Sequence, residues 1–321
     1  NPNPNPNPNL NLNAKQKSVI APSSEVKHRP ESVLYLTEIG LELKQINDMT
    51  RRFRCFPHYS LEGKIKPLVK FLLGLGVPKP EIPTILFKRP QLCGVSLSEN
   101  LVPTMELMEG LGVERNLWAK VICRFPGVLT YSRAKVMATV EFLREMGVPA
   151  ERVGKVFMRC PTIVSYSIEG NLRPTSEYFW SLGIDVTSLL YNCPQVFGLS
   201  VDANLRPATE FFMGKGYSAE ELGTMMSRFG VIYTFSLREN ITPKWEFFLT
   251  MGYPGSELVK FPQYFGYSLE KRIKPRYALV KEKGVKLVLN QVLSCSEREF
   301  HKILERKMKK MLSIGNGKTR R

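Results

Sequence analysis

Residues 167–200 read SIEGNLRPTSEYFWSLGIDVTSLLYNCPQVFGLS, and this stretch contains one complete unit of a pattern that recurs along the chain. Ser167 is a suitable helix N-cap, and Pro174 is tolerated near a helix start because its missing N–H costs little there. Gly183 supplies the left-handed residue that ends a helix, and Pro194 stops a second, shorter helix at the residue before it. The unit therefore predicts a long helix, a short helix and a tight turn.

Three landmarks of this unit recur from about residue 30 to the C-terminus. The first is a proline near the start of the long helix, at Pro30, Pro67, Pro103, Pro174, Pro207, Pro243 and Pro275, with Ala138 in one unit. The second is a glycine, at Gly40, Gly76, Gly112, Gly147, Gly183, Gly216, Gly252 and Gly284. The third is a proline that closes the short helix, at Pro57, Pro90, Pro126, Pro161, Pro194 and Pro262, with Gly230 in one unit.

The spacing of these landmarks is regular enough to define a repeat. The glycine follows the first landmark by nine residues in every unit except the first, where the spacing is ten. A serine starts each following unit, at Ser60, Ser96, Ser132, Ser167, Ser200, Ser236 and Ser268, and these serines lie 36, 36, 35, 33, 36 and 32 residues apart. A helical unit repeated at this period is typical of a solenoid, in which each unit contacts mainly its neighbours.

We therefore predict an all-α solenoid of about eight units over residues 28–312. The last unit departs from the pattern, and Ser296 with Glu299 is expected to cap a terminal basic helix that closes the array. Residues 1–27, which begin NPNPNPNPNLNLN, are predicted to be a disordered tail, and residues 313–321 a disordered basic tail. Because the sequence begins at Asn1 without a methionine, we expect any targeting peptide to lie outside it.

The net charge indicates a polyanionic partner. The chain has 46 Lys and Arg against 29 Asp and Glu, which gives +17 at pH 7. A surplus of this size favours nucleic acid or an anionic membrane surface. The sequence has no run of 18 apolar residues, so we predict no membrane span.

The sequence contains none of the common catalytic, nucleotide-binding or metal-binding motifs. The six cysteines show no CxxC pair, and Cys160 and Cys193, which share one position in successive units, are predicted to be small buried packing residues. The three histidines lie far apart, and no GxGxxG, GKS or GKT loop or HExxH is present. We therefore predict no catalytic residues, no metal site and no cofactor, and hence a protein that is not an enzyme.

The combination of landmarks resembles a known family. The chain has Asn-Leu-Arg-Pro at residues 171–174 and 204–207, Leu-Gly-Ile at 182–184 or Met-Gly-Val at 146–148, and Phe-Pro or Cys-Pro at the closing proline of most units. This pattern resembles the mTERF family, the mitochondrial transcription termination factor-related proteins of organelles. Matching segments are SLEGKIKPLVKFLLGLGVP (60–78), CRFPGVLTYS (123–132) and KFPQYFGYSLEKRIKP (260–275). The resemblance implies a right-handed superhelix of mTERF repeats with a basic groove for nucleic acid, usually double-stranded DNA.

The resemblance also implies a function and a compartment. It implies a double-stranded-DNA-binding regulator that terminates or pauses transcription by an organellar RNA polymerase, with that polymerase and its associated proteins as partners. It implies the chloroplast, with the mitochondrion as the alternative. An RNA-binding factor for group II intron splicing or ribosomal RNA maturation is a second function that the family implies. A helical scaffold for acidic proteins also fits a basic solenoid, but it leaves the cations at the helix starts unexplained.

Two sets of cations are the candidate DNA-binding residues. The first set lies beside the first proline of a unit, at Lys66, Arg173, Arg206 and Lys274 just before it and at Lys244 and Arg276 just after it. In a solenoid, equal positions point the same way, so these cations are expected to form a stripe. Because a cation at a helix start opposes the helix dipole, we predict that this set contacts phosphates.

The second set lies two residues before the closing proline or Gly230, at Lys88, Arg124, Arg159, Arg228 and Lys260. Two explanations remain open for these residues. They contact phosphates, or they stabilise the end of the short helix through its dipole, by about 0.3–1 kcal/mol each.

Overall fold

First and second helices alternate along the chain in the computed structural model, which describes residues 30–317. The first helices of the units are α1 (Pro30–Glu38), α3 (Lys66–Gly74), α5 (Val102–Gly110), α7 (Arg133–Glu145), α9 (Arg173–Ser181), α11 (Arg206–Gly214), α13 (Thr242–Thr250) and α15 (Lys274–Glu282). The second helices are α2 (Leu43–Arg52), α4 (Ile82–Lys88), α6 (Trp118–Arg124), α8 (Ala150–Arg159), α10 (Val186–Asn192), α12 (Ala219–Phe229), α14 (Ser256–Lys260) and α16 (Leu289–Leu293). The described residues thus form eight helix pairs, as predicted.

The landmark glycines and serines have the local structures predicted for them. All eight glycines have a positive φ, between 61° and 110°, which places them in the left-handed region. All seven serines accept a hydrogen bond on the side-chain oxygen from a backbone N–H three residues on, as in Ser167 and Gly170 at 3.0 Å. Such a cap contributes about 0.5–2 kcal/mol.

A wide helical turn precedes the first helix in six units, a feature that the sequence reasoning did not predict. These π turns, with i→i+5 hydrogen bonds, are Leu61–Ile65, Leu97–Leu101, Ile168–Leu172, Val201–Leu205, Leu237–Ile241 and Leu269–Ile273. In one of them Leu172 N–H donates to the Ser167 carbonyl at 3.0 Å. The landmark proline comes where the i→i+5 pattern changes to the α pattern, so its missing N–H falls where the regular ladder is already interrupted.

The unit with Ala138 shows why six other units have a π turn. Seven residues separate serine from proline in the other units, as from Ser167 to Pro174, but six separate Ser132 from Ala138. This unit has no π turn, and α7 follows its cap Ser132 directly. A π turn is equivalent to one residue inserted into an α-helix. The inserted residue and the proline therefore occur together.

Tight 3₁₀ turns close the units and stack on one another. Examples are Pro161–Ser165, Pro194–Gly198 and Gly230–Thr234, each of which contacts the next. The second helices stack in the same way, with α8 against α10, α10 against α12 and α12 against α14. Between the layers lie buried residues of successive units, Cys160 and Cys193 among them, as predicted. Each unit therefore buries its apolar face against its neighbours.

The helix α17 (Glu297–Gly317) follows the last pair and closes the array. Ser296 and Glu299 cap it reciprocally: the Ser296 N–H donates to Glu299 Oε2 at 2.9 Å, and the Glu299 N–H donates to Ser296 Oγ at 3.3 Å. Phe300 and Leu304 of this helix are buried. The predicted tail 1–27 lies outside the described residues, as do residues 318–321. The helix continues to Gly317, beyond residue 312, where the array was expected to end.

Candidate nucleic-acid interface

Four cations of the first predicted set share one environment at the start of a first helix. Each forms an ion pair with an acid four residues earlier, in the π turn. The pairs are Lys66–Glu62, Arg173–Glu169 at 3.5 Å, Arg206–Asp202 at 3.2 Å and Lys274–Glu270. The acid lies at the positive end of the helix dipole and the cation one turn further on, so the protein itself accounts for a cation at this position.

The same four cations also lie over aromatic rings of the preceding unit. Their charged atoms are within 6 Å of the ring centres: Lys66 over Tyr35 at 5.6 Å, Arg173 over Phe142 at 5.7 Å, Arg206 over Tyr178 at 5.6 Å and Lys274 over Phe247 at 5.9 Å. These contacts are in the range of cation–π attraction. The four cations therefore have equivalent orientations, as the repeat predicted.

Acidic residues flank these cations on both sides in the central units. Glu177 follows Arg173 by four residues and Glu210 follows Arg206 by four, and both glutamates are exposed. Positions four apart lie on one helical stripe, so each arginine lies between two carboxylates. In the outer units Lys70 and Ala278 occupy the second acidic position. The central part of this face therefore carries four acids against two arginines, which weakens its attraction for a phosphate backbone.

Lys244 is buried, contrary to the prediction that it contacts DNA. Its side chain is 6% exposed. The ammonium donates to the Phe265 carbonyl at 2.6 Å and to Asn240 Oδ1 at 2.9 Å. Burial lowers the pKa of Lys244 below its ordinary value. Since its donors are directed into the protein, Lys244 joins α13 to the following 3₁₀ turn instead of presenting a charge at the surface.

Arg276 is buried as well, at 3% exposure. Its guanidinium donates to the carbonyls of Val292 and Cys295, each at 2.9 Å, and to Glu297 Oε2 at 2.7 Å. These bonds join α15 to the end of α16, to Cys295 after it and to the first residue of α17. The predicted phosphate contact is replaced by a structural role, in which Arg276 satisfies carbonyls at the end of α16.

The arginines of the second set bridge neighbouring units. Arg124 donates to the Arg159 carbonyl at 3.1 Å, and Arg228 donates to the Lys260 carbonyl at 2.8 Å. Arg159 donates to the Tyr191 carbonyl and lies 4.4 Å from the centre of the Tyr191 ring. In each case the acceptor is a carbonyl at the end of the next second helix, which has no partner within that helix. The predicted interaction with helix ends is therefore present, but it crosses the unit boundary.

A further arginine of this kind escaped the sequence reasoning. Arg52 donates to the Phe87 carbonyl at 2.6 Å and lies 4.6 Å from the centre of the Phe87 ring. It occupies the last position of α2 but is not two residues before Pro57, so the proline landmark did not select it. The two lysines of the set differ: Lys260 pairs with Glu257 of its own helix at 3.6 Å, and Lys88 is exposed at the end of α4.

A cleft between α6 and α8 brings four cations together. Lys120 and Arg124 on α6, with Lys155 and Arg159 on α8, line a space of about 330 Å³ whose other lining residues are Leu117, Val121 and Met158. We call this the basic cleft. Among the residues that the structure describes, no acid lines the cleft and none of its four cations forms an ion pair.

The arrangement of charge in the basic cleft favours an anionic ligand. Like charges four residues apart on a helix repel, at a cost of about 0.2–0.5 kcal/mol per pair, and each wall of the cleft carries such a pair. A phosphate between the walls relieves both repulsions and accepts hydrogen bonds from Lys and Arg. Sequence reasoning identified Arg124 and Arg159 but missed Lys120 and Lys155. The signal for them was a cation four residues before each arginine, with no acid between.

Two findings bear on other kinds of function. Residues 30–317 contain no group of His, Cys, Asp and Glu side chains arranged to hold a metal ion. None of the helices in that range combines the length and the apolar character that crossing a bilayer requires.

Comparison with known proteins accounts for the repeated architecture. Over 285 residues, 89% of the chain, it is 60% identical to "Transcription termination factor MTERF5, chloroplastic" of Arabidopsis thaliana, and the match covers 58% of that protein. Over 90 residues, 28% of the chain, it is 28% identical to "Transcription termination factor MTERF2, chloroplastic" of the same plant, covering 14% of that protein. The chain thus spans less than two thirds of either relative. Residues 22–215 and 185–301 match the sequence pattern of the mTERF family, and the chain belongs to that family.

Proposed function

We propose that this protein is a chloroplast regulator of transcription that binds double-stranded DNA and terminates or pauses the organellar RNA polymerase. The basic cleft is the observation that carries the proposal, because four cations without acidic partners among the described residues converge there on a space of about 330 Å³. The names of both relatives, which describe chloroplastic transcription termination factors, support the compartment and the process.

The proposed contacts belong to the second helices rather than the first. The cations of the basic cleft, extended by Lys88 on one side, lie on the successive second helices α4, α6 and α8. Helices pack about 8–10 Å apart, so equivalent cations on successive second helices lie about that far from one another. Cations at this spacing contact different phosphates along one nucleic-acid backbone. The arginines bridge to the next unit through some of their N–H groups, which fixes the remaining N–H groups in direction. The lysines supply mobile charges between them.

The physical basis of the activity is displacement of counterions from the duplex. Each phosphate that a lysine or arginine neutralises releases condensed cations, and this makes binding favourable and dependent on salt. A protein held on the duplex in this way obstructs an advancing polymerase until it dissociates. The polymerase and its associated proteins are therefore the proposed partners, with no cofactor and no membrane.

The proposal is tested by the salt dependence of binding to a duplex in the Lys120→Ala/Lys155→Ala variant. These lysines make no hydrogen bond to another of the described units, so their removal leaves the bridges of Arg124 and Arg159 intact. We expect the slope of log K against log salt to become shallower by about 0.9 for each phosphate that the variant no longer neutralises. The Lys66→Ala/Lys274→Ala variant removes the same charge from the first helices and serves as the control, with a smaller expected change in slope.

Competition binding compares duplex DNA with RNA. A duplex of DNA competes against RNA of matched sequence, single-stranded and double-stranded, at one moderate salt concentration. Tighter binding of duplex DNA is expected. Preferential binding of RNA would replace the proposed function with the splicing or ribosomal RNA maturation role that the family resemblance implied. An unchanged slope in Lys120→Ala/Lys155→Ala would show that the basic cleft is not the contact surface.

A further inference from the structure

Large apolar side chains are exposed at one repeated position of three consecutive first helices. Trp180 on α9, Met213 on α11 and Leu249 on α13 each lie three residues before the landmark glycine, and they are 50%, 46% and 61% exposed. Isolated exposed apolar residues are ordinary on protein surfaces. Three at the same position of adjacent helices form a continuous row, which is typical of an interaction surface.

A row of carboxylates runs beside this apolar row. Glu177, Glu210 and Glu246 precede Trp180, Met213 and Leu249 by three residues and are exposed. Residues three apart share one side of a helix. Within residues 30–317 none of the three glutamates forms an ion pair. We call these six residues the acidic–apolar face.

Side-chain contacts join the three helices that carry the two rows. Arg206 of α11 lies over the Tyr178 ring of α9 at 5.6 Å, and Phe211 of α11 packs against Trp245 of α13 with 6.3 Å between ring centres. Helix α11 therefore contacts both α9 and α13, and the three helices follow one another along the array. With helix axes about 8–10 Å apart, the apolar row is roughly 16–20 Å long.

We propose that the acidic–apolar face docks a basic amphipathic helix of a partner protein. A helix rises about 1.5 Å per residue, so residues seven apart are separated by about 10 Å, close to the distance between neighbouring side chains of the apolar row. A helix lying across α9, α11 and α13 places apolar residues of three successive heptads against Trp180, Met213 and Leu249. Its Lys and Arg side chains then reach the three glutamates.

Charge determines which partner fits this face. The chain as a whole carries +17, yet the acidic–apolar face presents a row of exposed carboxylates. These carboxylates repel nucleic acid and attract a cationic ligand. Apolar burial against the row supplies affinity, and the glutamates select a basic helix over an acidic one. The face is separate from the basic cleft, so this docking does not depend on the proposed DNA binding.

Trp180 provides a direct probe of the docking, because the other two tryptophans, Trp118 and Trp245, are buried. The ligand is a tryptophan-free helical peptide of about three heptads, with leucine at the core positions and lysine and alanine elsewhere. We expect the peptide to shift Trp180 emission to shorter wavelength and to protect it from iodide quenching. The Trp180→Phe variant removes this signal and shows that it comes from Trp180.

Variants of the acidic–apolar face distinguish docking of the peptide from nonspecific electrostatic attraction. In Met213→Ser/Leu249→Ser, which keeps Trp180, we expect affinity for the peptide to fall at least about tenfold, because the peptide then covers less apolar surface. In Glu177→Gln/Glu210→Gln/Glu246→Gln the salt dependence of peptide binding should weaken. Duplex DNA binding should be unchanged in both variants. Their substituted side chains are exposed, so both variants are expected to fold.

Three results would overturn the proposal. One is equal binding of a peptide in which glutamate replaces lysine. Another is unchanged affinity in Met213→Ser/Leu249→Ser. The third is a concentration-dependent dimer of the wild-type chain that these substitutions abolish, which would assign the face to a second copy of this chain.

Discussion

Arg173 and Glu145 form a two-pronged ion pair between neighbouring units. Arg173 Nη1 lies 2.8 Å from Glu145 Oε1, and Nη2 lies 3.1 Å from Oε2. Glu145 ends α7 and Arg173 begins α9, so the pair joins two successive first helices across the intervening second helix and turn. Hydrogen bonds from Arg173 hold the pKa of Glu145 below its ordinary value. The pair also gives this unit boundary a dependence on pH.

We predict that Glu145→Gln lowers the stability of the protein at neutral pH and that this difference disappears in acid. A carboxylate whose pKa is lower in the folded state contributes stability above its unfolded pKa, about 4.3 for glutamate, and the contribution is lost as pH falls through the folded pKa. Urea unfolding of both proteins at several pH values below 7 measures the difference. A difference that does not vary with pH would mean that the ion pair contributes nothing.

A glycine in α8 touches the backbone of the preceding unit. The Gly154 N–H donates to the Leu111 carbonyl at 2.8 Å, and a Cβ added at Gly154 would lie 2.2 Å from the backbone carbon of Gly112. We predict that Gly154→Ala separates the two units and destabilises the protein by about 1–3 kcal/mol or more, as overpacking does. Thermal unfolding measures this change in stability.

Gly223 is the matched control, since Gly154 and Gly223 both lie seven residues after the landmark glycine. A Cβ at Gly223 would meet only Ile184 Cγ1, at an ordinary 3.5 Å. Alanine is preferred over glycine within a helix by about 0.5–1 kcal/mol, so Gly223→Ala should be neutral or stabilising. Equal effects of the two substitutions would exclude the unit contact as the cause.

The link between the proline and the π turn is tested by exchanging residues. Ala138→Pro places a proline in the interior of α7, where no wide turn accommodates it, and should cost about 3 kcal/mol. Pro174→Ala restores an N–H where the hydrogen-bond ladder is already interrupted and should change stability by less than about 1 kcal/mol. Chemical denaturation compares the two. Similar costs would show that the π turn does not accommodate the proline.

The Lys244→Ala variant tests whether Lys244 stabilises the fold or contacts DNA. The substitution leaves the Phe265 carbonyl without the donor that lies 2.6 Å away in the native protein. An unsatisfied buried acceptor costs about 1–3 kcal/mol, so stability should fall by that amount. The slope of DNA affinity against salt should stay the same, since Lys244 is buried. A shallower slope with unchanged stability would restore Lys244 to the binding surface.

Sequence reasoning predicted most of the fold because local signals specify it. Gly183 was expected to be left-handed, Ser167 to cap a helix and Pro194 to end one, and the structure confirms all three. These features depend on backbone sterics within a few residues. The π turn was not predicted, although the serine-to-landmark spacing, which is one residue shorter in the unit with Ala138, indicates it.

The candidate site was harder to predict because it depends on side-chain direction. Lys244 and Arg276 were assigned to the surface by charge, yet they follow the landmark proline at the position that Leu68, Thr104, Thr139, Thr175 and Ala208 occupy in other units. All of these residues are buried. Comparison within the repeat would therefore have placed both cations in the interior. The bridges of Arg124 and Arg159 depend on contacts between units, which no local pattern contains.

The arginine bridges between second helices do not occur at every boundary, and this makes the array unequal in stiffness. Asn192, at the position of Arg159 in the next unit, bonds to Ser188 of its own helix, so the α10–α12 boundary has no such bridge from it. Where the bridges are present, neighbouring units resist sliding. Within the described part of the chain, Lys88 and Lys260 likewise form no such bridge at the α4–α6 and α14–α16 boundaries. We expect the array to flex more at these three boundaries than at the bridged ones when it adapts to a curved ligand. Replacing Asn192 with arginine would then make the α10–α12 boundary more rigid and less able to adapt to the ligand.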